Sequence, residues 1–99
     1  MAIIFVSHPF SSNPQRHQKR LHAIARRLVL EGHNPLVPQL YLPQFVDEST
    51  ERDLALRLCL ELVAVVDELW VYGEPSEGMR LEITEALRLG IPVVRKDLP

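Results

Sequence analysis

The segment at residues 67–94, DELWVYGEPSEGMRLEITEALRLGIPVV, decides the fold that this chain is expected to adopt. It begins with an apolar run rich in β-branched and aromatic side chains, which predicts a strand at 68–72. The spacing of the apolar residues that follow predicts a helix from about Glu77 to Leu89, and Gly90 is well suited to end it. A second apolar run at 91–94 predicts another strand. A strand, a helix and a strand joined by short loops form the repeating unit of a parallel sheet.

The N-terminal part of the chain alternates strands and helices in the same way. Residues 2–6 and 34–37 are short runs that predict strands, and the first is apolar throughout, as in a strand buried on both faces. Between them, Asn13 and Pro14 predict a helix start, because Asn caps free N–H groups and Pro is favoured at the first helical position. We expect this helix to run to about Glu31.

A second helix is predicted after an irregular loop at 38–47, with Ser49 or Thr50 as its cap. The complete order is βαβαβαβ. Crossover connections of this kind are right-handed and give a parallel sheet. We therefore expect an α/β fold with one domain over residues 1–99, a flavodoxin-like, doubly wound parallel sheet with strand order 2-1-3-4 in three αβα layers.

The second predicted helix is unusually apolar. Between residues 54 and 66, only Arg57 and Glu61 are polar. A helix that is apolar nearly all round has to be covered on more than one side, and one sheet face covers only one of them. The simplest further cover is another copy of the chain, so the sequence predicts a homo-oligomer that assembles through this helix.

Composition limits the classes of function. The net charge is −2 and the pI is about 6.1, so there is no long-range attraction to nucleic acid. No apolar run is long enough to span a membrane and no signal peptide is visible, so no membrane partner and a cytoplasmic location are expected. The single cysteine, Cys59, and the spacing of the four histidines give no metal-binding motif, so neither a metal nor a cofactor is expected.

In an open parallel sheet, ligands bind beyond the carboxyl ends of the strands, where the strand order reverses. Here that point lies between the first and third strands, where the loops at 7–13 and 73–78 meet. Ser76 and Gly78 open the following helix, where they either bind an anion or only cap the helix and ease the turn. Glu82 lies one turn further on. It is either a partly desolvated carboxylate suited to catalysis or a surface partner of an arginine.

Other side chains near this point are candidate ligand contacts. His8 could hold a phosphate or carry a proton, although most loop histidines do neither. Phe10 could stack on a planar base or anchor its loop, and Asp53 is placed to contact a polar ligand. Asp67, at the opposite end of its strand, is expected to be a turn or cap residue. The complete set of candidate ligand contacts is Ser7, His8, Phe10, Asn13, Asp53, Ser76, Gly78 and Met79.

Several motifs occur in a characteristic order along the chain. An apolar strand leads into the Ser-x-Pro-Phe loop at 7–10, and DELWVYG follows at 67–73. The pattern Ser76-x-Gly78-Met79-x-x-Glu82-Ile83 comes next, and GIPV at 90–93 closes the set. Together these motifs resemble the nucleoside 2-deoxyribosyltransferase-like superfamily, and in particular its small bacterial and phage members. The resemblance covers nearly the whole chain and is most specific at 67–93.

This resemblance implies cleavage or exchange of the N-glycosidic bond of a nucleoside or nucleotide. Carried over to this sequence, Glu82 is the nucleophile that attacks C1′ of the sugar. Ser76 contacts the sugar or phosphate, and Asp53 assists the base or leaving group. The implied mechanism is displacement of the base by Glu82, followed by capture of the glycosyl-enzyme by water or by another base.

Three features depart from the family pattern. Phe5 stands where family enzymes have a tyrosine whose hydroxyl orients the glutamate. Tyr41 or Tyr72 could replace that hydroxyl, and Tyr72, on the third strand, is the nearer candidate. Arg80 stands at the second glycine, where it could bind a phosphate or close the pocket. Family enzymes also borrow residues from the C-terminal part of a neighbouring subunit, whereas this sequence ends at Pro99. Three functions stay open: a Glu82-dependent N-glycosidase or deoxyribosyltransferase, a non-catalytic nucleotide-binding module, and a structural partner protein.

Overall fold

The computed structural model describes residues 2–9 and 14–98 of the chain. Within these residues, strands and helices alternate in the order that the sequence predicts. Two short 3₁₀ turns, Pro38–Leu40 and Leu42–Gln44, lie between the second strand and the second helix. The elements are β1 (Ile3–Ser7), α1 (Pro14–Leu30), β2 (Asn34–Leu36), α2 (Arg52–Val63), β3 (Glu68–Tyr72), α3 (Glu77–Leu89) and β4 (Val93–Lys96).

The strands form one parallel sheet in the order β2-β1-β3-β4, which confirms the predicted doubly wound fold. In the register of the sheet, Phe5 on β1 lies between Leu36 on β2 and Leu69 on β3. Trp70 on β3 pairs with Val94 on β4. The strand order therefore reverses between β1 and β3, and the carboxyl ends of these two strands form the edge where a ligand is expected.

Two hydrophobic clusters cover the two faces of the sheet. On one face, Ile4 and Val6 of β1 pack with Leu21 and Leu28 of α1. On the other face, Phe5 packs in the cluster that α2 and α3 cover. Successive side chains of a strand point to opposite faces. Ser7, two residues beyond Phe5, is thus expected on the same side as α2 and α3.

The last strand starts two residues later than predicted. The predicted range was 91–94, whereas β4 spans Val93–Lys96. The reason is the end of α3, where Gly90 adopts a left-handed φ of 74° and the N–H of Ile91 donates to the carbonyl of Ala86. Ile91 therefore belongs to the helix end, and the ladder of β4 begins only after it.

The prediction that Ser49 or Thr50 caps α2 is wrong. The helix begins at Arg52, and Glu51 occupies the cap position without a side-chain hydrogen bond. Ser49 is engaged elsewhere, since its N–H and its hydroxyl both donate to the carboxylate of Asp47, at 2.9 and 2.6 Å. A short polar side chain that has bonded to a neighbouring turn is no longer free to cap a helix.

Asp67 joins the starts of β1 and β3. Its carboxylate accepts a hydrogen bond from the N–H of Ile3 at 2.7 Å, and its own N–H donates to the carbonyl of Ile3. Both contacts lie at the amino end of the sheet. The expectation that Asp67 has a structural role is therefore confirmed.

α2 buries only part of its apolar surface within the described chain. Ala55 and Val63 are buried, and Leu54, Leu56, Leu58, Leu60 and Leu62 are each partly exposed. Val65, just beyond the helix, is 66% exposed. Assembly through this helix stays a prediction. In the described part of the chain, no helix combines the length and apolar character needed to cross a membrane.

Candidate active site at the carboxyl ends of β1 and β3

A cleft of about 190 Å³ opens between the carboxyl end of β1, the first turns of α2 and the first turns of α3. It lies at the point where the strand order reverses, as the topology predicts. Five of the nine candidate site residues line it together: His8, Asp53, Ser76, Gly78 and Glu82. They come from separate parts of the chain, and the parallel crossovers bring them to one edge of the sheet.

The remaining candidates have other positions. Ser7 is buried at 1% exposure and contacts Glu82 without lining the cleft. Met79 is 3% exposed, belongs to the hydrophobic cluster under α3 and does not line the cleft either. Phe10 and Asn13, also named as candidate contacts, lie outside the described residues.

Glu82 is the chemically distinctive side chain of the cleft. It lies on α3 beside the buried face that Met79 and Ala86 define, and it is itself only partly exposed. Burial raises its pKa to about 7, because the charged carboxylate loses hydration, while a hydrogen bond from Ser7 opposes part of that rise. At neutral pH, Glu82 is thus divided between the acid and the carboxylate, and the carboxylate is poorly hydrated and reactive.

The hydroxyl of Ser7 orients Glu82. Ser7 Oγ donates a hydrogen bond to Glu82 Oε1 at 2.7 Å, across 75 positions of sequence. The hydroxyl that contacts Glu82 thus comes from Ser7, whereas Phe5 on the same strand has none. The expectation that Tyr72 would supply this hydroxyl is wrong, because Tyr72 packs in the cluster on the α1 face, on the other side of the sheet. The alternation of side chains along β1 could have found Ser7, since residues 5 and 7 share a face.

The start of α3 is held by a reciprocal cap. Ser76 Oγ accepts a hydrogen bond from the N–H of Met79 at 3.3 Å, and the N–H of Ser76 donates to Met79 Sδ at 3.4 Å. Ser76 thus caps the helix and also lines the cleft, and its contact with a ligand stays a prediction. Gly78, in the first turn, presents bare backbone to the cleft.

His8 is held in one orientation. It is 1% exposed, its Nδ1 is hydrogen-bonded to the carbonyl of Pro9, and its own carbonyl accepts from Gln39 Nε2. A carbonyl can only accept, so Nδ1 carries the proton and Nε2 is a bare acceptor in the neutral ring. Burial lowers the pKa of His8, and the nearby charges of His17 and Arg20 act in the same direction. The neutral ring is therefore the form expected at pH 7.

Sequence reasoning missed several residues that line the cleft. Gln39 comes from the turn after β2, Glu48 from the segment before α2, and Cys59 from the middle of α2. Burial raises the pKa of Cys59 to about 12, and the nearby carboxylates of Glu82 and Glu48 add to the rise, so the thiol is no nucleophile at neutral pH. No local signal in the sequence pointed to Gln39.

The charge of the cleft is predominantly negative. The described lining includes the carboxylates Glu48, Asp53, Glu77 and Glu82, and one guanidinium, that of Arg52. Arg80, which the sequence offered as a phosphate ligand or as a plug, is exposed and does not line the cleft. Among the described residues, no group of three or more metal-ligating side chains occurs.

Solved structures with this fold include two 2-deoxyribosyltransferases. One, from the psychrotolerant bacterium Bacillus psychrosaccharolyticus, aligns with a TM-score of 0.70 and 20% sequence identity. The other, from Leishmania mexicana, aligns with a TM-score of 0.71 and 14% identity. These alignments cover 97% and 98% of this chain, but only 72% and 65% of the two enzymes. At these identities the likeness concerns the fold, and as a fold the resemblance seen in the sequence is confirmed.

At the level of sequence, no curated protein matches the chain. One family model does match, and it covers residues 2–96, which include every element of the sheet and every described residue of the cleft. The chain belongs to the family described as Domain of unknown function (DUF7768).

Proposed function

We propose that this chain cleaves the N-glycosidic bond of a nucleoside, with Glu82 as the nucleophile. The observation that carries the proposal is the pair of Ser7 and Glu82, in which a buried hydroxyl donates at 2.7 Å to a desolvated carboxylate at the edge of the cleft. A carboxylate needs both low hydration and a fixed orientation to attack a carbon centre. The fold shared with 2-deoxyribosyltransferases supports the same chemistry.

The proposed reaction has two steps. In the first, a carboxylate oxygen of Glu82 bonds to C1′ of the sugar while the bond from C1′ to the base breaks, and the electron pair leaves with the base. In the second, water or the nitrogen of another base attacks C1′, and Glu82 departs as a carboxylate. Asp53, on the exposed wall of the cleft, is the proposed contact for the base.

The charge of the cleft favours a nucleoside over a nucleotide. A phosphate would approach Glu48, Asp53 and Glu77, with only the guanidinium of Arg52 to offset their repulsion. Because these side chains are exposed, salt weakens the effect without removing it. We therefore propose that 5′-phosphorylated substrates are the poorer ones.

A panel of substrates tests the proposal. The protein is incubated with nucleosides and with their 5′-monophosphates, in the ribose and the 2′-deoxyribose series, and free base is measured by chromatography. We expect base release from nucleosides, and release from the matched monophosphates that is roughly tenfold slower or more at low salt. A rise in melting temperature with ligand, without any release, would instead indicate the non-catalytic binding module.

Gly78→Ala is expected to weaken nucleoside binding without harming the fold. A Cβ built at this position meets nothing within 4 Å, and alanine is favoured over glycine in a helix by about 1 kcal/mol. The new methyl group would add bulk at a residue that lines the cleft, so its cost should appear only with ligand. Urea unfolding and ligand-induced shifts of the melting temperature measure the two effects separately.

Gly90→Ala is the matched control for that change. Gly90 has a left-handed φ of 74° at the far end of α3 and does not line the cleft, so this variant should lose about 1 kcal/mol of stability and keep its affinity. Unchanged nucleoside affinity in Gly78→Ala would show that the ligand does not approach this end of the helix.

We further propose that the chain forms a homo-oligomer through α2. The support is the set of partly exposed leucines around this helix, together with Val65 at 66% exposure. Sedimentation velocity at several protein concentrations tests it, and a monomer at all concentrations would exclude it. The cytoplasm stays the proposed compartment, on the basis of the sequence alone.

A further inference from the structure

The cleft lining offers hydrogen-bond acceptors and negative charge, and few hydrogen-bond donors. Exposed carboxylates at Glu48, Asp53 and Glu77 surround it, and Arg52 is the one guanidinium among its described lining residues. Such a site attracts a ligand that carries positive charge, and low-dielectric walls strengthen this Coulombic attraction. This charge distribution by itself says only which sign of ligand is favoured.

His8 supplies the second, independent observation. It lines the cleft at 1% exposure, and its Nε2 has no hydrogen-bond partner among the described residues. Since Nδ1–H is bonded to Pro9, the free position is an acceptor. Gln39, which also lines the cleft, uses its amide nitrogen on the carbonyl of His8, and its Oε1 is buried without a partner. Two buried acceptors thus lack a donor at this wall.

The described lining also offers little to protonate a leaving base. The neutral ring of His8 carries its proton on Nδ1, which is tied to Pro9. Cys59 holds its proton too tightly to act as an acid, since burial raises its pKa to about 12. Glu82 has to be in the carboxylate form to attack. The described lining therefore lacks an efficient acid for a base that must gain a proton in order to leave.

We propose that the preferred substrate carries a cationic base, such as an N-glycosyl pyridinium or an N-alkylated purine. This inference rests on the proposed N-glycosidase function and names its substrate class. When C1′ bonds to Glu82, the bond from C1′ to the ring nitrogen breaks, and its electron pair neutralises the positive ring. The base leaves as a neutral molecule with no proton transfer. Water then attacks C1′ and loses one proton to solvent as Glu82 departs.

Matched pairs of nucleosides test this inference. N7-methyladenosine, which has no ring N–H to lose and stays cationic at pH 8, is compared with adenosine, and nicotinamide riboside with its neutral dihydro form, with the N7-methyl pair also in the 2′-deoxyribose series. Dissociation constants, and not rates, are measured at pH 8 and low salt, so that the faster intrinsic cleavage of cationic nucleosides does not set the comparison, and the Glu82→Gln variant is used to prevent turnover during the measurement. We expect the cationic member of each pair to bind at least about fivefold tighter, and 0.5 M NaCl to reduce this ratio towards one.

Neutralised variants locate the origin of the preference. Replacing Glu48, Asp53 and Glu77 together by their amides should abolish it. Replacing Glu61 and Glu74, exposed carboxylates that do not line the cleft, should leave it intact.

The outcomes are distinguishable. Nucleosides that bind and release base with no preference for the cationic member would overturn this inference and leave the proposed function standing. No binding and no base release from any nucleoside would overturn both. A preference that survives the triple neutralisation would also overturn the inference.

Discussion

Glu82→Gln is expected to lower base release from nucleosides by about a thousandfold or more, because an amide is no nucleophile at C1′. The amide has nearly the same shape as the carboxylate and can still accept the hydrogen bond from Ser7 Oγ, which is 2.7 Å from Oε1. Loss of activity would therefore come from the chemistry and not from a disturbed cleft. Single-turnover base release measures it, with ligand binding followed separately by thermal shift.

The same substitution is expected to stabilise the fold above neutral pH. Burial raises the pKa of Glu82 from 4.5 to about 7, so the folded state holds a proton that the unfolded state has already lost. Stability therefore falls as pH rises from about 4.5 to 7, by about 3 kcal/mol in total. Glutamine never ionises, so its advantage should be small at pH 4 and full at pH 8. Urea unfolding at several pH values measures this difference.

Glu85→Gln is the control for both effects. Glu85 lies one turn further along α3, where its carboxylate pairs with Arg88 at 2.7 Å, and it does not line the cleft. This variant should retain base release and show no gain in stability at pH 8. If Glu82→Gln retained its activity, or if Glu85→Gln lost as much activity, Glu82 would not be the nucleophile.

Ser7→Ala is expected to slow base release by about ten- to a hundredfold and to move its pH dependence. A hydrogen bond to a charged group is worth roughly 1.5–3 kcal/mol, and this one holds the attacking carboxylate in place. In the wild type, the rate should rise with pH through a midpoint near 7, as Glu82 loses its proton. The Ser7 bond favours the charged form, so its removal should shift that midpoint upward.

Ser7→Thr provides the rescue for this positioning residue. Threonine keeps the hydroxyl and suits a strand, so it should restore most of the rate and return the midpoint of the pH profile towards 7. A purely structural role for Ser7 would change the overall rate without moving the midpoint. The profile of kcat/KM against pH for the three proteins decides between the two. An unchanged midpoint in Ser7→Ala would contradict the assignment.

The sequence predicted most of the architecture because the responsible signals are local. Each signal concerns a single element, such as the apolar run at 68–72 for a strand or the helical spacing after Glu77 for a helix. Because the connections between the elements are short, the strands can form only one parallel arrangement. The predictions were wrong at positions where two local signals compete. Ser49 looked like a cap but bonds to Asp47, and Ile91 looked like a strand residue but closes the end of α3.

The sequence by itself determined the strand order and the edge where the cleft opens, and it placed Glu82 at the shoulder of α3. Only the tertiary structure decided which hydroxyl reaches that carboxylate. Ser7 and Tyr72 end neighbouring strands, yet their side chains leave opposite faces of the sheet. It also decided that Gln39 and Cys59 line the cleft. Periodicity fixes the face of each element, whereas contacts between elements depend on how the helices and turns pack against the sheet.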